Sequence, residues 1–206
     1  IITNDIADMW IHEGFCTYSE VLYVECLYGY NAMLEYVNNQ KISVRNDKPI
    51  VGPYNVNKRG SNDMYQKASL MLHTLRSIID NDSLWFSLIK GISYDFKHKI
   101  VDGIDVLNYI NSVTKRNFST FFTQYLYNKK LPVLEYKIEN SGLHYTFIYR
   151  WDAIENFNMK IQVNDGNRNI WISPNDTLQE LSLGLVDIKD FRIREDLFFI
   201  DLKNIK

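Results

Sequence analysis

The chain has 206 residues, enough for one large domain or two small ones, and its 46% hydrophobic and 14% aromatic content fits a globular protein with a real core. A net charge of −2 without any Lys/Arg run supplies neither the basic field of a nucleic-acid binder nor a polybasic membrane patch. No apolar run approaches the roughly 18 residues of a membrane span, so a spanning protein is excluded for this stretch.

The first two thirds carry helical periodicity. From about Ile11 to Tyr28, apolar residues recur at Ile11, Phe15, Tyr18, Leu22 and Cys26, and Gly29 is a natural C-terminal stop. Cys16 and Cys26 share this helix. Ten residues of helix rise roughly 15 Å, too far for a disulfide, so they read as two free, buried thiols. A second helix is expected over Ala32 to Val37. Residues 41 to 61 hold Pro49, Gly52, Pro53 and Gly60 and read as a long irregular loop, a kind of segment that is often functional. The clearest helix follows: Ser61, Asn62 or Asp63 can cap it, and Met64, Ala68, Met71, Leu72, Leu75, Ile78 and Ile79 form its apolar stripe. Asn81-Asp82-Ser83 ends it and caps a helix from Leu84 to about Tyr94. Further helices are predicted over Ile104 to Val113 and Ser119 to Tyr127.

After Pro132 the pattern becomes alternation. Leu143, Tyr145, Phe147, Tyr149 and Trp151 share one face of a strand, with His144, Thr146, Ile148 and Arg150 on the other. Asn164-Asp165-Gly166-Asn167 is a hairpin signal between Met159–Val163 and Asn169–Ile172. Leu181–Val186 and Leu197–Leu202 complete a set of short strands that suggests a small antiparallel sandwich. The expected organisation is α+β in two parts, a helical part over 1–132 and a β-sandwich-like part over 133–206.

Two stretches could carry chemistry. Glu13, in Trp10-Ile11-His12-Glu13-Gly14-Phe15, opens an apolar helix and is followed by a helix-disfavouring glycine. A glutamate there ordinarily faces water. Aimed at a metal instead, it would use Gly14 as room for a close approach. Glu20 lies on the same face but roughly 10 Å along the axis, so it suits orienting another ligand better than sharing the ion. Tyr65, after the long loop, lies in the first turn of the strongest helix, where a phenol can point into a cleft; a core tyrosine with its hydroxyl at the surface is the commoner arrangement. His12, His73, His98 and His144 show no pair at metal-binding spacing, and H-E-x-x-H, C-x-x-C, G-x-S-x-G and the P-loop are all absent.

These stretches resemble a known family. Trp10-Ile11-His12-Glu13-Gly14-Phe15-Cys16-Thr17-Tyr18-Ser19-Glu20 is similar to the W-x-x-E-G-F-A-x-Y-x-E segment of aminopeptidase N-like zinc metallopeptidases, the gluzincins. Tyr65-Gln66-Lys67-Ala68-Ser69 resembles their Y-x-K-G-A helix start. Phe121-Phe122, Gln124-Tyr125-Leu126 and Leu131-Pro132 resemble the F-F-x-Q-W-L…P end of the catalytic domain. Cys16 and Ala68 depart from the pattern, which more often has Ala and Gly there.

The resemblance implies the α-helical C-terminal half of a thermolysin-like catalytic domain, followed by a β module. It implies a Zn²⁺ site in a longer parent protein, with Glu13 as third ligand, Glu20 beside the ligands and Tyr65 stabilising the oxyanion while a zinc-activated water attacks the N-terminal peptide bond. The H-E-x-x-H histidines, its general-base glutamate and the G-x-M-E-N segment for the substrate's free amine would precede Ile1. By itself this stretch, with one of three protein ligands, is expected to be inactive and to bind zinc poorly. Glu13 and Tyr65 should face one open cleft and serve peptide substrates. The alternatives are a non-catalytic peptide-binding or scaffold protein of the same fold, or an unrelated helical-plus-sandwich binding module. Compartment, oligomeric state and side-chain preference are not specified by these residues.

Overall fold

A computed structural model describes residues 1–140, 142, 144–184 and 188–205. The chain forms two compact units, Ile1–Lys130 and Leu131–Lys206.

The first unit is helical. A short strand β1 (Ile2–Thr3) pairs in parallel with β2 (Ile100–Val101). A 3-10 turn over Ile6–Asp8, capped by the Asp5 carboxylate, leads into α1 (Trp10–Tyr28). Gly29, at φ 86°, ends α1 and starts α2 (Tyr30–Asn39), a backbone angle glycine adopts without a Cβ clash. A 3-10 turn, Gln40–Ser43, opens the long loop, which ends at Ser61. Then come α3 (Gln66–Ile79), α4 (Asp82–Asp95), α5 (Gly103–Thr114) and α6 (Ser119–Phe122), the last continuing as a π-wound turn over Thr123–Tyr127. Asn81 caps α4 as expected, its Oδ1 accepting from the Leu84 amide at 2.9 Å.

α3 is the core of this unit. Twelve of its fourteen residues are buried, from Lys67 through Ile79, so it is covered on all sides rather than on one stripe. Around α1 the buried face is Trp10, Ile11, Gly14, Thr17, Tyr18 and Val21. This corrects two expectations. Phe15 and Leu22 are only half-buried, and Cys16 and Cys26 are exposed free thiols. Gly14 and Thr17 carry no apolar signal, so the stripe they belong to was read about one residue too late. The helical segments otherwise fall within a few residues of their expected limits.

The second unit holds two sheets. One has the order β7-β4-β3-β9, formed by β3 (Val133–Asn140), β4 (Tyr145–Asp152), β7 (Gln179–Gly184) and β9 (Asp201–Asn204). The other has the order β6-β5-β8, formed by β5 (Ile161–Asn164), β6 (Asn169–Ile172) and β8 (Arg192–Ile193). The 164–167 hairpin forms as read: Gly166 takes φ 96°, and the Asp165 carboxylate accepts from the Asn167 and Arg168 amides, each at 2.9 Å. On β4, Phe147, Tyr149 and Trp151 are buried, and Phe147 meets Phe191 at a centroid distance of 4.9 Å.

The antiparallel expectation needs correction in one place. β9 runs parallel to β3, in register from Val133↔Asp201 to Tyr136↔Asn204. A parallel pair needs a long crossover, and the chain between these strands visits the second sheet before returning. The strand expected at Leu197–Leu202 therefore begins only at Asp201, since Leu197–Ile200 are buried outside the ladder. Positions 143, 185 and 186 of the expected strands lie outside the described residues.

Candidate functional site

The two candidate residues sit on helix starts that touch. Glu13 lies in the first turn of α1. Tyr65 (φ −85°, ψ −84°) is the non-helical joint between a 3-10 turn at Asn62–Met64 and α3. One residue beyond Glu13, a β-carbon added to Gly14 would lie 2.7 Å from the Ala68 Cβ and 3.4 Å from the Met64 carbonyl oxygen. Real Cβ atoms do not approach that closely, so only glycine lets α1 and α3 meet at this level. The contact is flanked by Glu13 on α1 and by Tyr65 at the start of α3.

Both groups are uncommitted. The half-buried Glu13 carboxylate makes no hydrogen bond or ion pair among the described residues, and neither does the half-buried Tyr65 hydroxyl. A helix N-terminus carries a partial positive charge that favours an acidic side chain. It leaves the lone pairs of Glu13 available to a cation. Glu20 is different: it is exposed, and its Oε2 accepts from the Tyr36 hydroxyl at 3.0 Å.

The surroundings of Tyr65 are built with buried polar groups that sequence reasoning missed. Lys67 is fully buried, and its Nζ donates to the carbonyls of Asn128 and Lys129, each at 3.0 Å. A buried ammonium needs such partners. Here they tie α3 to the chain leaving the π-wound turn. Asp63 is buried and accepts from the Arg45 amide at 3.0 Å and the Asn46 amide at 2.7 Å. This fastens the long loop to the start of α3. The same loop returns on itself, the Ser61 amide donating to the Pro49 carbonyl at 2.9 Å. At Gly60 a β-carbon would fall 1.9 Å from the Ile50 carbonyl oxygen.

The start of α1 is fixed in a similar way. Asp8 is buried and accepts from the Gly103 amide at 2.9 Å, the Tyr54 hydroxyl at 3.0 Å and the Trp10 indole at 3.2 Å. Burial raises the Asp8 carboxyl above its ordinary range, and those three bonds oppose the rise. Burial also raises the Tyr54 phenol, helped by the Tyr127 hydroxyl and the Asp8 charge. Further along, Arg76 on α3 makes a bidentate pair with Glu25 of α1 at 2.5 and 2.8 Å and reaches Asp82 of α4 at 2.8 Å. The sequence signals for these groups are slight: a charged residue inside an apolar period at Lys67 and Arg76, the place of Lys67 in the Y-x-K-G-A resemblance, and Asp63 as a capping candidate.

The histidines do not converge on a site. His98 and His144 are exposed, and His73 is buried within α3. His12 has a buried Nε2 with no hydrogen-bond partner among the described residues. Its neighbour Glu13 lies about 100° around the helix, too far round for the two to share one ion. Among the described residues no group of three or more His, Cys, Asp or Glu side chains is placed to hold a metal. No described helix is long and apolar enough to cross a membrane.

The backbone is similar to the crystal structure of Legionella pneumophila aminopeptidase A in complex with aspartic acid, with a TM-score of 0.68 and 12% identity. The match covers 99% of this chain and 25% of that one, so this chain spans about a quarter of that protein's length. At this identity the likeness shows the fold alone, an arrangement of helices followed by sheets. No family model and no curated protein matches the sequence.

Proposed function

We propose that this chain is part of a zinc-dependent aminopeptidase of the gluzincin type, with residues 1–132 in the catalytic domain and 133–206 forming the β module that follows it. The observation that carries this reading is the contact, through Gly14 and Ala68, between the helix starts that bear Glu13 and Tyr65, two groups uncommitted among the described residues. The likeness in fold to an aminopeptidase supports it.

The donor set suits zinc in part. Glu13 offers an unpaired carboxylate, one of the three protein ligands of a catalytic site. The other two ligands and the general base then come from residues outside this chain. A zinc ion held there supplies Lewis acidity toward the scissile carbonyl and toward water. Tyr65 donates its O–H to the oxygen that becomes negative as the carbonyl carbon turns tetrahedral. That stabilisation counts because the donor is already in position when charge develops. Asp63 and Lys67 do not touch substrate; they hold Tyr65 by fixing the loop before it and the helix after it. Glu20, exposed beyond Glu13, is available to orient a ligand that arrives from outside this chain.

The full-length protein tests the reading. It should release N-terminal amino acids from peptides in a chelator-sensitive manner. Tyr65→Phe should lower kcat about 100-fold while zinc content is kept. Glu13→Gln should lose zinc by metal analysis, a readout that does not depend on turnover. A full-length sequence without a histidine pair ahead of Ile1, or a Tyr65→Phe enzyme with unchanged kcat, would overturn it.

A further inference from the structure

We propose that Arg45, Lys48, Lys58 and Arg59 form a carboxylate-binding subsite next to Tyr65, which receives a carboxylate of the peptide on the leaving-group side of the bond being cut. The proposal rests on Tyr65 as the oxyanion donor.

Tyr65, Gln66 and Asn62 line a cavity of about 330 Å³ together with Arg45 and Arg59. A second cavity, of about 320 Å³, is lined by the same Arg45, Arg59 and Asn62 and adds Lys48 and Lys58. The two adjoin through the shared residues, so the four cations line a pair of neighbouring cavities, the first of which Tyr65 also lines. They come from the two arms of one loop, Arg45 and Lys48 from the first, Lys58 and Arg59 from the second. The Gly60–Ile50 close approach and the bond from the Ser61 amide to the Pro49 carbonyl bring the arms together.

The cluster is only partly neutralised internally. None of the four cations makes an ion pair among the described residues. The lining also contains Asp47 and Asp63, and both are engaged with other donors. Asp63 accepts the Arg45 and Asn46 amides, and Asp47 accepts the Ser61 hydroxyl at 2.7 Å and the Lys48 amide at 2.9 Å. Four cations against two carboxylates leave an excess of two positive charges, on a loop tied at Asp63. The field of such an excess raises the local concentration of anionic ligands and weakens with salt.

The sign of the field orients the substrate. An aminopeptidase substrate carries an ammonium at its first residue, and a cationic cavity repels it. The amino end therefore points away from the loop, and the part of the peptide beyond the scissile bond passes along it. A carboxylate there comes from the free C-terminus of a short peptide or from an acidic side chain. The planar guanidinium groups of Arg45 and Arg59 suit either one.

The experiment uses the full-length protein and three matched short peptides, one with a free C-terminal acid, its C-terminal amide, and the amide with Asp in place of a neutral residue after the scissile bond. At low salt the wild type should cleave the free acid, the Asp amide or both with kcat/KM about tenfold above the neutral amide, the difference lying in KM and shrinking as salt is added. Whichever of the two is preferred identifies the source of the carboxylate. Arg45→Gln with Arg59→Gln should bring the ratio to near one, Arg59→Glu should push it below one, and Arg45→Lys should retain most of it. A wild type that cleaves all three peptides equally, or a double variant that keeps the full ratio, would refute the subsite. A wild type that cleaves none of them would refute the aminopeptidase reading instead.

Discussion

The two units bury different chemistry. In Ile1–Lys130 the interior includes Asp8, Ser61, Asp63, Lys67, His73, Arg76 and Gln124; in Leu131–Lys206 the buried polar residues, among the described residues, are Glu135 and Asp165. The β unit is held mainly by apolar cross-strand neighbours such as Phe147, Tyr149 and Trp151, the usual means of stabilising a sheet. Burying a charge costs stability unless it gains partners. In the helical unit those partners include backbone groups of the long loop, of the segment after the π-wound turn and of the α5 start, and for Arg76 the Glu25 and Asp82 carboxylates. Buried charge there fixes main chain around Glu13 and Tyr65, whereas in the β unit the buried Asp165 carboxylate fixes only its own hairpin.

The sharpest way to break this contrast is Lys67→Met, which keeps volume but strands the Asn128 and Lys129 carbonyls. It should cost about 3–5 kcal/mol in urea unfolding of the helical unit, and a cost below that of any β-unit change would invert the comparison. Gly14→Ala comes next, at about 1–3 kcal/mol, because its methyl must push α1 from α3. Adding Ala68→Gly should recover most of the loss, and a double-mutant cycle without coupling would mean the helices do not meet there. Asp63→Asn should cost about 1–2 kcal/mol and speed hydrogen exchange at the Arg45 and Asn46 amides.

The smallest effect belongs to Glu135. Lys203 first, and Arg150 second, hold its carboxyl below the ordinary range. A depressed folded value means stabilisation that is present above the unfolded value of 4.5 and lost as pH falls through the folded one. Both cations are largely exposed, so the contribution is under about 1 kcal/mol. Wild type should lose this increment on acidification below pH 4.5, and Glu135→Gln should lack that part of the pH dependence.

Local patterns made most helices legible. The α3 stripe, the Asn81 cap, the Gly29 stop and the 164–167 hairpin each rest on residues within a few positions of one another. What stayed hidden depends on distant partners. Gly103 meets Asp8 across 95 positions and Arg76 meets Glu25 across 51, and no periodicity encodes either. Cys16 and Cys26 were misjudged because Gly14 and Thr17 mark a buried face without apolar weight. The parallel β3–β9 pair was hidden because alternation reports faces and not strand direction. At the candidate site, Glu13 and Tyr65 stood out by resemblance to a family pattern. The basic cluster did not, since its four charges are spread over fifteen positions of the loop and form no run.

The π-wound turn at Thr123–Tyr127 makes counting matter more than composition. Each residue of a helix sets the azimuth of those after it by about 100°. Excising one residue here would turn the Leu126 carbonyl from the Val51 amide it accepts at 3.1 Å and swing the following carbonyls off the Lys67 ammonium. In a library of variants this segment should accept many exchanges of side chain and almost no change of length.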